Sequence, residues 1–110
     1  MDDNTVATLH TWDDLHQLIK RAGGNLVVIN FYATWSAPCR SSSLIFRRMT
    51  RRFTGVIFAE VDIDENAETA ETFRLDDYPT FIFIKQAEVV ARLEGADVST
   101  LFTLLKTHSR

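Results

Sequence analysis

Residues 27–40 read VVINFYATWSAPCR. From Leu26 to Tyr32 (LVVINFY) the chain is β-branched or aromatic apart from Leu26 and Asn30, with almost no polar alternation. That pattern predicts a central strand buried on both faces of a parallel or mixed sheet. Ala33 to Cys39 then turn the chain into a helix expected over roughly 39–53, where Phe46, Met49 and Phe53 at i, i+3 and i+7 mark its buried face. Cys39 is the only cysteine in the 110 residues. A lone cysteine usually behaves as a small, inert hydrophobe, so its place in a turn behind an apolar strand needs a reason.

Upstream of this stretch, residues 5–10 (TVATLH) read as a short strand. Thr11 caps a helix with Asp13 and Asp14 in its first turn, where negative charge is favoured, and Leu15, Leu18 and Ile19 on one face. Gly23 and Gly24 break that helix. Downstream, residues 55–61 (GVIFAEV) form another strand, and an acidic helix follows around 67–73. The connection ends at Tyr78-Pro79. Residues 80–85 and 88–93 are close enough for a hairpin across Gln86-Ala87. Gly95 ends the second of these strands, and Asp97 caps a last helix carrying Val98, Leu101, Phe102 and Leu105 at helical spacing. The order βαβαβα followed by ββα predicts a single α/β domain over residues 1–110. Its central mixed sheet has helices on both faces.

A hydrophobic share of 45% suffices for one moderate core in a chain of this length, and 25% charged residues is an ordinary globular value, which argues against disorder. A net charge of −3 argues against nucleic acid as the main partner. One cysteine excludes an internal disulfide and a cysteine-based zinc site, and His10, His16 and His108 lack metal-ligand spacing, so no metal is expected. The first ten residues are acidic and lack an apolar signal region, and the longest aliphatic run is LVVI. The expectation is a cytoplasmic protein without a membrane partner, its thiol kept reduced.

Trp-x-x-Pro-Cys at a strand–turn–helix junction, followed some forty residues later by x-Pro-Thr opening a strand, resembles the thioredoxin family. The likeness spans nearly the whole chain: VVINFYATWSAPCR is similar to the family's active-site strand and loop, VIFAEVDIDEN to its third strand, YPTFIFIK to its cis-proline strand and LEGAD to the loop before its last helix. The resemblance implies a thiol–disulfide oxidoreductase of the protein-disulfide reductase type, without a bound cofactor, served by a partner of the thioredoxin reductase type. Family members carry Cys-Gly-Pro-Cys where this chain has Ser36-Ala37-Pro38-Cys39, an SxxC motif. By position Ser36 replaces the nucleophile and Cys39 is the resolving residue. Asn30 stands where relatives have a buried aspartate thought to deprotonate the resolving thiol, and an amide is no base near neutral pH. Gln86-Ala87 replaces the Asn-Gly favoured in a tight primed turn.

Reduction of a disulfide by a dithiol needs one thiolate to attack and a second thiol to release the product. With Ser36 in place the cycle cannot run within this chain, and a reductase would meet no disulfide to reduce. Ser36 lacks a nearby base or a nucleophile-elbow motif, so a hydrolase is disfavoured and a helix-capping role is the simpler reading. Cys39 reads as shielded and inert. The resemblance further implies that Pro79 is cis and faces the turn. Trp35, Ala37, Pro38, Tyr78, Thr80, Gly95 and Ala96 would then line an apolar groove for protein or peptide clients, bound by backbone pairing beside the proline.

Three functions remain open: a paralogue that lost turnover and kept client binding, an active thioredoxin whose nucleophilic cysteine was changed to serine, and a chaperone-like or structural use of the fold. The loss of both the nucleophile and the buried acid favours the first. Five arginines between Arg40 and Arg52, without an acid among them, precede eight acids between Glu60 and Asp77. These read as two solvated faces that partly neutralise each other; the sharper alternative is an arginine-rich flank that docks an acidic partner.

Overall fold

The computed structural model describes residues 6–110. The elements run β1 (Ala7–Thr8), α1 (Trp12–Ala22), β2 (Val27–Tyr32), α2 (Ala37–Met49), β3 (Ile57–Asp62), α3 (Ala67–Thr72), β4 (Thr80–Lys85), β5 (Glu88–Glu94) and α4 (Val98–His108). The five strands form one mixed sheet in the order β1-β3-β2-β4-β5. β1 and β2 pair with β3 in parallel, whereas β4 runs antiparallel to both β2 and β5.

β2 lies at the centre, and its Val27 to Phe31 are all buried. The period-2 alternation of a strand divides its side chains between two cores. Val27, Ile29 and Phe31 pack with Leu15, Leu18 and Ala22 of α1 and Ala70 of α3. Val28 packs with Phe46 and Met49 of α2 and Leu101 and Leu105 of α4. The apolar stripes read in the sequence are thus what each helix buries, two helices on either face of the sheet.

Local chemistry sets the boundaries. Thr11 and Asp14 form a reciprocal capping box: the Asp14 N–H donates to Thr11 Oγ1 (3.0 Å) and the Thr11 N–H to Asp14 Oδ2 (3.2 Å). The Asp97 carboxylate caps α4 by accepting from the Ser99 and Thr100 N–H groups. β1 is shorter than the strand expected over 5–10, and Thr5 of that expectation lies outside the described residues. β3 begins two residues later than expected, after a turn closed by Val56 N–H to Phe53 C=O.

α2 differs most from expectation. It starts at Ala37 rather than Cys39, because Pro38 falls in the first turn, where its missing N–H is no loss. It ends at Met49, and residues 50–53 continue as turns. In the β4–β5 hairpin Gln86 (φ 52°) and Ala87 (φ 64°) are both left-handed, the primed geometry that normally selects Asn-Gly.

Candidate functional site

Ser36 is the residue before the first turn of α2, with extended backbone (φ −98°, ψ 120°). Its carbonyl accepts from the N–H groups of Cys39 (3.1 Å) and Arg40 (3.2 Å), and its own N–H donates to Ala33 C=O (3.1 Å). Its side chain makes no capping hydrogen bond. The serine therefore holds the cap position by backbone alone, which corrects the expectation of a hydroxyl cap. The dipeptide after it, Ala37-Pro38, is exposed, while Cys39 turns inward and is 1% exposed. The Ala33 N–H points at Cys39 Sγ, 3.4 Å away.

Of the residues expected to line a groove, Trp35 of this turn touches Tyr78, and the segments 79–80 and 95–96 lie side by side. Trp35 is 64% exposed and donates from Nε1 to Asp64 Oδ2 (3.0 Å). Its ring meets the Tyr78 ring edge-on, with centroids 6.2 Å apart. The Tyr78–Pro79 peptide bond is cis and Pro79 is buried. Thr80, also buried, pairs with Phe31 of β2 and with Glu94 of β5. The Gly95 N–H donates to the Pro79 carbonyl (2.8 Å), which sets 95–96 beside 79–80; Gly95 has φ 103°, a value that excludes most side chains. Ala96 is exposed.

Asn30 lies beneath this surface, fully buried. Its Nδ2 donates to Ser43 Oγ of α2 (3.0 Å), while its Oδ1 has no protein partner. Next to it, in register on β3, stands Glu60.

Glu60 is the residue that sequence reasoning missed. Counted there as one of a run of solvated acids, it is only 5% exposed and forms an ion pair with Arg47 of α2. Burial pushes its carboxyl above the ordinary glutamate range, and the Arg47 guanidinium opposes part of that rise. The signal was its setting: Glu60 sits between Ala59 and Val61, each fully buried. The remaining charges fit the expected solvated faces better, since Arg48 and Arg51 are exposed.

Glu60, Arg47 and Cys39 also line one cavity of about 300 Å3, together with Tyr32, Ala33, Thr34, Arg40 and Ser43. Burial raises the Tyr32 phenol, and the nearby carboxylates of Glu60, Asp62 and Glu65 raise it further. Among the described residues there is no group of three or more histidine, cysteine or acidic side chains arranged to hold a metal ion. No helix among them is long and apolar enough to cross a membrane.

Comparison with known proteins agrees with this architecture. The family model described as Thioredoxin matches residues 6–107. Thioredoxin H2-1 of Oryza sativa subsp. japonica is 39% identical over 108 residues, covering 96% of this chain and 78% of the relative. Thioredoxin of Geodia cydonium is 39% identical over 102 residues, covering 92% of this chain and 96% of the relative. The X-ray structure of Fasciola hepatica thioredoxin superposes with a TM-score of 0.92 at 35% identity, over 94% of this chain and 99% of that one. With the matched region running from β1 into the last turn of α4, this chain belongs to the thioredoxin family.

Proposed function

We propose that this chain is a thioredoxin-family protein, disulfide-reductase in ancestry, that binds protein or peptide clients without turning over their disulfides. The observation that carries this reading is the pairing of Ser36 at the mouth of α2 with a single thiol, Cys39, buried behind it. A serine hydroxyl forms no mixed disulfide, so electron transfer by a thiol pair has no first step here.

Client binding is a separate matter, because it needs none of the missing sulfur. It is supported by the exposed Trp35 ring braced on Tyr78, and by the Gly95–Pro79 hydrogen bond that aligns two backbone segments beside the turn. A peptide laid along Tyr78–Thr80 would pair with main-chain groups, with Trp35, Ala37, Pro38 and Ala96 giving apolar contact. Thioredoxins generally act on protein substrates, and a partner of the reductase type would find no disulfide on this chain. We read residues 1–110 as one working domain in the cytoplasm, where a free thiol persists.

The test is titration of a reduced, cysteine-blocked client peptide into the native chain and into Trp35→Ala, followed by amide chemical shifts. Shifts should gather at residues 35–38, 78–80 and 95–96, and Trp35→Ala should weaken binding by about tenfold, the scale of one interface anchor. Failure of a panel of disulfide-derived peptides to move these resonances would leave only a structural use of the fold.

A further inference from the structure

The outer face of α2 carries an apolar knob in a cationic setting. Leu44 is 62% exposed there, and Arg47, Arg48 and Arg51 surround it. Among the described residues only Arg47 of these three has an ionic partner, Glu60. The C-terminal turn of a helix favours cations, which accounts for Arg47 and Arg48. It does not account for a bare leucine set among guanidiniums that repel one another. A single exposed leucine is ordinary on a protein surface, but an apolar side chain with an arginine rim has the anatomy of an interface anchor.

The same chain carries the opposite shape and charge beside α3. A recess of about 370 Å3 has Ile63, Ala70, Leu75 and Tyr78 in its walls, with exposed Asp64 and Glu71 among the residues that line it. Arg74 also lines it, yet all six acids from Asp64 to Asp77 are exposed, so this flank is anionic as a whole. Asp64 accepts from Trp35 Nε1 at Oδ2 and keeps Oδ1 for a further donor, and Glu71 has no ionic partner among the described residues. α2 and α3 pack on opposite faces of the sheet, so Leu44 cannot reach the recess of its own chain. We propose that Leu44 of one chain docks in the α3 recess of a second copy, where Arg48 and Arg51 meet Asp64 and Glu71.

This contact joins two different patches, and each copy offers both. Docking therefore leaves one knob and one recess free at the two ends, and the assembly grows with concentration. A net charge of −3 on each chain opposes random approach of two copies, and the complementary patches select one orientation. Arginine suits the task better than lysine, because its planar fork pairs with a carboxylate through two parallel N–H···O bonds. The charges are exposed and salt screens them, so the association is weak and transient. The inference does not rest on client binding.

The experiment is sedimentation equilibrium of the native chain, Leu44→Gln, Glu71→Arg and an equimolar mixture of the two variants. Each is run at chain concentrations up to about 1 mM, in about 0.01 M and about 1 M salt. Both positions are exposed, where substitution is usually tolerated, and circular dichroism checks the fold. In low salt the native weight-average mass should rise above that of the monomer with concentration, and in high salt it should return to the monomer. Each variant alone should associate about tenfold more weakly, the scale of one interface anchor. Leu44→Gln keeps its recess and Glu71→Arg keeps its knob, so their mixture should regain the native strength of association and stop at pairs. A mixture no tighter than its parts, or an association indifferent to salt, overturns the proposal. A native chain that stays monomeric in low salt also overturns it, and leaves the arginine face to an acidic partner of another kind.

Discussion

Asn30 and Glu60 are register partners across the parallel β2–β3 pair, and of the two it is Glu60 that carries the carboxyl. Both side chains point to the α2 face of the sheet, where Asn30 meets Ser43 and Glu60 meets Arg47. Two rungs of α2, one turn apart, thus bind two neighbouring strands by polar contacts through an otherwise apolar layer. The amide at position 30 is a settled part of this arrangement, with its own hydrogen-bonded partner.

Asn30→Asp should therefore destabilise the fold at neutral pH. The new carboxylate would be fully buried beside Glu60, and Arg47 is already engaged. An unsatisfied buried polar group costs about 1–3 kcal/mol, more when charged. Like-charge repulsion adds to that, so we expect a loss of at least about 2 kcal/mol in urea unfolding at pH 7. The loss should shrink on acidification as position 30 protonates.

Glu60 itself should give stability a pH dependence of unusual sign for a carboxylate. Its folded-state pKa is raised above the unfolded value, chiefly by burial. The folded state then binds the proton more tightly, and stability falls as pH rises from the unfolded value through the folded one. Relative to Glu60→Gln, the native chain should gain stability as pH falls through that window and level off below it. Asp14 and Asp97 act oppositely and at lower pH. Backbone hydrogen bonding from His10 holds Asp14 below its ordinary value, and the Thr100 hydroxyl does so for Asp97. Their stabilisation is complete above pH 3.8 and is lost as pH falls through their folded values. Urea unfolding of native and Glu60→Gln chains from pH 3 to 8 reads both effects; a difference that does not change with pH would show Glu60 to be unperturbed.

The fold was legible because its signals are local. Val27 to Phe31 announce a doubly buried strand by composition, Gly95 and Asp97 mark a strand end and a helix start, and α1 displays its capping box in four consecutive residues. Thr11 could be read as a cap from the acids of the turn that follows it, and Asp14 completes the box; Ser36, also read as a cap, lacks such a partner and does not cap through its side chain. The candidate site was legible as far as the Trp35–Cys39 turn and the Tyr78–Thr80 segment reach. Glu60 was not, because charge counted along a chain does not say which acid a neighbouring helix covers. The partner that identifies it, Arg47, is thirteen residues away on α2.

The hairpin turn offers a stabilising substitution. Ala87 is left-handed at φ 64°, where an L-residue pays about 1–2 kcal/mol. Glycine removes that strain and costs about 0.5–1 kcal/mol in chain entropy. Ala87→Gly should thus raise stability by about 0.5–1 kcal/mol, and Gln86→Asn should add to it. A lower melting temperature for Ala87→Gly would mean that the Ala87 methyl contributes packing in the groove between α1 and β5 that it lines.

Restoring the missing thiol tests how much of a redox centre remains. As it stands, the chain should reduce a protein disulfide no faster than the uncatalysed background, because Cys39 is its only thiol. In Ser36→Cys, the new thiolate would sit at the start of α2, where the helix N-terminus favours it. It would attack a client disulfide and form a mixed disulfide, releasing one client thiolate; Cys39 would then attack the sulfur of residue 36, close the 36–39 bond and release the other. We expect a rate clearly above background with a dithiol reductant. Adding Asn30→Asp supplies a second carboxylate to the same layer. General acid–base assistance is typically worth roughly 10²–10⁴-fold, but solvent water already supplies part of it. The double variant should therefore gain less than about 10²-fold over Ser36→Cys, measured by single-turnover reduction across pH with folding checked in parallel. No gain at all would mean that Cys39 needs no protein base. A Ser36→Cys rate equal to that of an ordinary thioredoxin would instead mark Ser36 as the sole defect, and the chain as an enzyme disabled at one atom.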